Sequence, residues 1–305
     1  MISHYFTLLI GAELFQNIMH IERESKLRII KKKFTLLLLF FVAAIYNISA
    51  ATKGLSINEP YIIVIDPGHG GGKIGAKGRK STEKDIVLDI SKKLKTLLEA
   101  QIPNAKVLLT RTTDIDVTFL SRIQLANKNK ANIFISIHAN SADVDIRVRN
   151  KNGKYVNSVR RNPKVRGTET LVLGFHRMAE QDVAIRENAD LLLEDNYKED
   201  FSDFNPSDPS SYIIFQLMRN QYRRESIKLA SLIQGQYVKS AKIDRGVKEQ
   251  GLAVLSKATM PAVLTEIGFI SSPEEEEYML SAKGQEEIAQ NLTNAIKMYK
   301  EHLKI

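Results

Sequence analysis

Cysteine is absent from this 305-residue chain. The protein therefore has no disulfide, no thiolate metal site and no cysteine to carry a lipid, and any metal must sit on His, Asp or Glu. Histidine is scarce, with six in all, and two of them, His4 and His20, lie near the start. Long apolar runs are missing as well. The most apolar stretch, residues 34–45, falls short of the roughly 20 residues that a membrane-spanning helix needs. Neither a Gly-Lys-Ser/Thr phosphate cradle nor the spaced dinucleotide glycines occur, which sets nucleotide binding aside. No internal repeat is present.

What remains is enough for a folded domain. With 43% hydrophobic residues, the chain can bury a substantial core as one large domain or two small ones. The first 51 residues read differently from the rest. Arg28, Lys31, Lys32 and Lys33 precede the apolar run, and Ser49, Ala50 and Ala51 follow it. That order of basic, apolar and small residues predicts a secretory signal peptide over 1–51, cleaved near Ala50 or Ala51, with Met19 an alternative start to Met1. A linker is expected at 52–60, and no permanent membrane anchor. The formal charge is +9, and residues 1–51 carry six Lys/Arg against three Asp/Glu, so the exported part is about +6. A basic exported protein suits an anionic polymer such as cell wall, although charge alone is equally consistent with simple solubility. Nothing points to nucleic acid.

Hydrophobic periodicity gives an α/β rhythm. An apolar run at 61–66, closed by Pro67-Gly68, predicts a buried strand. A helix is expected from Glu83 to the stop at Pro103, then a strand at 106–111, a helix around Phe119 to Ala126 and a strand at 133–137. Further on, the pattern predicts a helix over 222–239, strands at 252–255 and 262–266, and a closing helix over 283–303. Together these predict a single catalytic domain built on a mainly parallel, twisted sheet flanked by helices, spanning 61–305. Residues 141–221 interrupt it. They hold a basic stretch with Arg147, Arg149, Lys151, Lys154, Arg160, Arg161, Lys164 and Arg166, a strand at 168–173, a helix over 176–193 and an acidic run at 194–211. Eighty residues exceed an ordinary connection, so an insertion with its own structure, or a mobile lid, is expected.

Chemistry concentrates at strand ends. The glycines of Asp66-Pro67-Gly68-His69-Gly70-Gly71-Gly72 keep bulk away from His69, leaving its imidazole at the carboxyl edge of the sheet. His138 ends the third strand, on the same edge if the two strands run parallel. A lone strand-end histidine is usually structural, but two on neighbouring strands favour a metal. Glu83 supplies a third group, although a carboxylate at a helix start also satisfies the helix dipole. Two histidines and one carboxylate leave a coordination position for water, the pattern of catalytic rather than structural zinc. Glu266 ends another apolar run and is costly to bury without a partner or a task. It is a candidate proton carrier, or else a partner to a ligand histidine.

Four strings occur in order: IVIDPGHGG, Glu83 followed by Lys-Asp, FISIHAN and AVLTEIGFIS. Over about 61–303 they resemble the zinc-dependent N-acetylmuramoyl-L-alanine amidases of the amidase-3 type. The resemblance implies zinc bound by His69, Glu83 and His138, with Glu266 catalytic. It implies hydrolysis of the amide joining the lactyl group of N-acetylmuramic acid to L-alanine in peptidoglycan. Two positions depart from the usual pattern, Gly72-Lys73-Ile74 after the first motif and Ser272 in the last. No wall-binding repeat stands at either end. Relatives carry an inserted helix that covers the metal and is displaced by an activator protein. By that resemblance Glu187, in a helix starting at Asp182, is an autoinhibitory ligand, whereas most helical glutamates face solvent. His176 and Glu180, one turn apart, read as an exposed pair. Two other functions stay open on the residues alone, a non-catalytic peptidoglycan-binding protein and a zinc peptidase cutting within stem peptides. The expected setting is a periplasm, or the cell exterior.

Overall fold

A computed structural model describes residues 59–175, 180–201, 204–214 and 222–303. The signal peptide expected at 1–51, most of the linker and His176 lie outside the described residues. The chain divides into units Met1–Glu59 and Pro60–Ile305; the second carries every element below. No helix among the described residues is long and apolar enough to cross a membrane.

Among the described residues, eight strands form two sheets. They are β1 (Tyr61–Pro67), β2 (Ala105–Leu109), β3 (Ile133–Asn140), β4 (Val144–Arg149), β5 (Tyr155–Arg160), β6 (Thr168–Leu173), β7 (Asp244–Gln250) and β8 (Ala262–Phe269). Six make the main sheet in the order β2-β1-β3-β8-β6-β7, and β4 with β5 makes a separate antiparallel ribbon. The four strands β2, β1, β3 and β8 run parallel, whereas β6 is antiparallel to β8 and β7 follows β6. The mainly parallel sheet is thus present, with two reversed strands along one side.

The apolar strand runs explain the layering. Successive strand residues point to opposite faces. Ile63, Ile65, Ile133, Ile135 and Ile137 share one core with α1 (Glu83–Gln101), α5 (Arg223–Lys239) and α8 (Ala282–Leu303). Val64, Phe134, Leu171 and Leu264 face the other core. Beneath them lie α2 (Phe119–Lys128), α3 (Asp182–Asn188), the 3-10 turn Ala189–Leu193 and α6 (Ala253–Ser256). Each fully buried isoleucine or leucine contributes roughly 1.5–3 kcal/mol. The remaining helices are α4 (Tyr197–Asp200) and α7 (Pro273–Leu280).

Two sequence expectations are corrected. The strand expected at 252–255 is the short helix α6, because four apolar residues have no period that separates strand from helix. The interval 141–221 does not stand wholly apart either. Its β6 is a fully buried strand of the main sheet, while β4 and β5 pair in a ribbon apart from it. Pro261 precedes β8 and donates no hydrogen bond there, as expected at a strand start.

Candidate metal centre and catalytic site

Strand β1 ends in the loop that carries His69, and this loop is clamped from behind. Arg111 donates from Nε to Pro67 O (3.0 Å) and from Nη2 to Gly68 O (2.8 Å) and Lys84 O (2.7 Å). Arg122 donates to Pro67 O (2.8 Å) and His69 O (2.7 Å), and its Nη1 lies 2.7 Å from Asp66 Oδ1. Both guanidiniums are buried. Asp66 is held by Thr110 and Ser136 as well. Burial would raise its pKa, but Arg122 and these hydroxyls hold it below the ordinary carboxylate value. Clamped this way, His69 sits at φ 57°, a left-handed conformation that costs a non-glycine residue energy and is kept only where the surroundings impose it.

Glycine is required at two neighbouring positions. A Cβ on Gly68 would lie 2.5 Å from the His138 ring, and one on Gly75, at φ +67°, would lie 2.5 Å from Glu83 Oε2. Glu83 opens α1 and is buried; Oε2 accepts from Ala76 N (2.8 Å) and Oε1 from Ala139 N (2.9 Å). These bonds aim the carboxylate rather than cap the helix. His138 comes from β3, parallel to β1, and its ring centroid lies 4.8 Å from that of His69. Glu266 is the direct β8 partner of His138 in the sheet register.

The structure brings the sequence-derived residues to one place. Glu187, on α3, joins His69, Glu83 and His138, and one donor atom from each lies within 4.8 Å of all the others. His69 Nε2 is 3.2 Å from Glu83 Oε2 and 3.2 Å from Glu187 Oε2. His138 Nδ1 is 3.0 Å from Glu83 Oε1 and 2.9 Å from Glu187 Oε2. A tetrahedral zinc with ligands at roughly 2.0–2.1 Å sets its donor atoms about 3.3 Å apart, so this frame fits such an ion. Two further observations fit it. His69 Nε2 and Glu187 Oε2 are buried yet complete no hydrogen bond among the described residues. His69 Nδ1, 2.9 Å from Asp190 Oδ2, is oriented by that carboxylate so that Nε2 faces the cluster.

Charge supports the same reading. Burial alone would lower the histidine pKa values, but Glu83 and Glu187 outweigh it. His69 is pushed up well above its ordinary value and His138 up to about 9. The carboxyl of Glu187 is held well below the usual range despite burial, by His138 and Arg186. Such a group of carboxylates demands positive charge, which a divalent cation supplies as well as protons do.

Asp190, which orients His69, and three arginines at the site were not foreseen from sequence. Arg111 and Arg122 act on backbone carbonyls, and a strand-end or helical arginine gives no sign of that. Arg186, beside Glu187, donates from Nη2 to Glu266 Oε1 (3.1 Å), from Nε to Glu187 Oε1 (2.9 Å) and from Nη1 to Asn140 Oδ1 (2.9 Å). Glu266 is fully buried and its Oε2 has no hydrogen-bond partner among the described residues. Burial, only partly offset by Arg186, raises its pKa well above the ordinary carboxylate value. Glu180 lies outside this cluster and is exposed. A cavity of about 450 Å³ opens beside the cluster, lined by His69, Glu83, Arg186, Glu187, Asp145 and Arg161 among others.

Known proteins resemble this chain in sequence and fold. A family profile described as N-acetylmuramoyl-L-alanine amidase (Amidase_3) matches residues 63–298. The amidase AmiC of Escherichia coli O6:H1 is 30% identical over 247 residues, covering 79% of this chain and 53% of AmiC. AmiA of Escherichia coli K12 is 28% identical, covering 78% of this chain and 75% of AmiA. The chain thus spans about half the length of AmiC and three quarters of AmiA. Among solved structures, an N-acetylmuramoyl-L-alanine amidase from Clostridium difficile 630 aligns with a TM-score of 0.56 at 26% identity, covering 80% of this chain and 98% of that one. The catalytic domain of CwlV, an amidase of the same name from Paenibacillus polymyxa, aligns at 0.54 and 26%, again over 80% and 98%. Family profile, relatives and fold agree: the chain belongs to the Amidase_3 family of N-acetylmuramoyl-L-alanine amidases.

Proposed function

We propose that this protein hydrolyses the amide between the lactyl group of N-acetylmuramic acid and L-alanine of the stem peptide, using zinc held by His69, Glu83 and His138. The observation that carries this is the meeting of these three side chains, brought from the loop after β1, from α1 and from β3, with Glu266 paired to His138 in the sheet and a groove lined by His69 and Glu83 alongside. When bound, zinc supplies a Lewis acid that polarises a carbonyl and acidifies water. The protein's own residues do the rest. The groove positions the amide. Glu266 accepts one proton of the attacking water and passes it to the leaving L-alanine nitrogen, so that amide and water become a lactyl carboxylic acid and an amine, which exchange the remaining proton and leave as carboxylate and ammonium. A buried carboxyl with a raised pKa is suited to holding that proton between the two steps. Family membership supports the amidase reading over a peptidase, and the full residue set supports catalysis over mere binding.

The same geometry supports autoinhibition. Glu187 stands where a solvent ligand belongs, and Arg186 occupies one oxygen of Glu266. The segment from Asp182 to Leu193 therefore has to withdraw before substrate can react, and an activator protein is the agent proposed to draw it away. With the signal peptide expected at the start, the working site is the periplasm or the cell exterior, in wall remodelling or daughter-cell separation.

Digestion of purified peptidoglycan by the wild type and by Glu187→Ala, with and without a chelator, tests this. Metal-dependent release of free L-alanine amino termini from intact glycan strands is expected. Cleavage between amino acids, or indifference to metal removal, overturns it.

A further inference from the structure

We propose that one face of the β4–β5 ribbon is a binding surface for the peptide-bearing glycan strand, on which arginines take the free carboxylates of stem peptides beyond the one being cut. This rests on the amidase reading above and extends its substrate site.

The charge of the folded unit is concentrated in this element. Residues 143–166 hold eight Lys/Arg against two Asp/Glu, while the remaining residues from 60 to 305 hold 29 of each. Charge that served only solubility would be spread over the surface; here all of the excess sits on one ribbon and its stem. Among the described residues, Arg147, Arg149, Lys151, Lys154 and Arg160 form no ion pair. Their charge is available to a ligand.

The register shows which face carries the argument. Side chains alternate along a strand, so Asp145, Arg147 and Arg149 lie on one face with their partners Val159, Asn157 and Tyr155. Asp145 and Val159, at the base, line the same cavity as His69 and Glu83. The face therefore continues the groove, running roughly 13 Å further to Arg149 at about 3.3 Å per residue. Tyr155 is 65% exposed, with the Arg147 guanidinium 5.8 Å from its ring centroid. Aromatic rings with an apolar body and a polar tip suit sugar faces, and planar guanidinium forks match carboxylates in pairs. A polymer anchored by its scissile bond in the groove would lay its next units along this face. An acidic protein could also be drawn to the charge, but it would have no reason to meet a surface continuous with the metal centre.

The test is sedimentation of the full chain with purified sacculi, using Glu266→Gln to stop turnover, at low and high salt. Addition of Arg147→Gln and Arg149→Gln is expected to weaken binding at least tenfold and to flatten its salt dependence. Amidation of the stem-peptide carboxyls should produce the same loss without any substitution. Undiminished binding of the substituted protein, with an unchanged thermal midpoint, overturns the proposal. So does binding that depends on the arginines but ignores amidation, which would assign the face to phosphate-bearing wall polymers. Retained binding to sacculi together with loss of binding to polyglutamate would assign it to an acidic protein, and also overturns it. Release of L-alanine termini by the wild type from the same sacculi is scored separately, so failure of the amidase reading is distinguishable from failure of the ribbon.

Discussion

Arg186 donates to Glu266 across 3.1 Å, from a short helix to a fully buried strand residue. Its neighbour Glu187 meets both histidines at the same time. Two consecutive side chains thus cover the proposed metal ligands and the proposed proton carrier. Arg186→Ala and Glu187→Ala should each raise the rate of L-alanine release from purified peptidoglycan, by tenfold or more. Because either substitution loosens the same segment, the double variant should gain less than the product of the single gains. Unchanged rates in both single variants would mean that the segment does not close the site.

Glu266→Gln keeps the size of the side chain and removes its capacity to take a proton. Loss of a general base lowers rate by roughly 10²–10⁴-fold. That loss should appear in kcat, with zinc content, read by atomic absorption, unchanged. A variant that also lost its metal would place Glu266 in the coordination frame instead.

Dialysis against a chelator should abolish activity, and zinc should restore it. The same treatment should lower the thermal midpoint, because an ion that binds only the folded state stabilises it in proportion to its concentration. In His138→Ala the midpoint should no longer respond to zinc. A wild-type midpoint that ignores the chelator would contradict the assignment.

Acid should weaken the clamp behind His69. The carboxyl of Asp66 has a folded pKa below its unfolded value, so its contribution is complete above the unfolded value of about 4 and is lost as pH falls further. Unfolding free energy should drop through that window, and Asp66→Asn should flatten the drop. At neutral pH the same substitution leaves Arg122 buried and unpaired, a loss of about 3–5 kcal/mol in urea unfolding.

Legibility from sequence followed the physics of each element. Strands β1, β3 and β8 are continuous apolar runs buried on both faces, and such runs announce themselves. Strand β7, with the sequence DRGVKEQ, lies at the sheet edge and is only half buried, so its polar residues hid it. In the sequence the ribbon shows only as a basic stretch, because its charges outweigh its alternation. His69, Glu83, His138 and Glu266 were visible because strand ends and a helix start are where polar groups stand out. Glu187 was singled out by resemblance to relatives, since nothing in its local sequence distinguishes it from a solvated helical glutamate. Arg111, Arg122 and Arg186 were invisible because what they bind is brought near only by folding.

The left-handed His69, gripped through its own carbonyl by Arg122, has a consequence for loading of the proposed metal. The imidazole direction is set by the core and its arginines, so the apo-protein should keep the cradle ready without the ion. Loading would then be a simple association event, decoupled from chain collapse, and cobalt or another ion of similar radius could be swapped in as a spectroscopic reporter without refolding the enzyme.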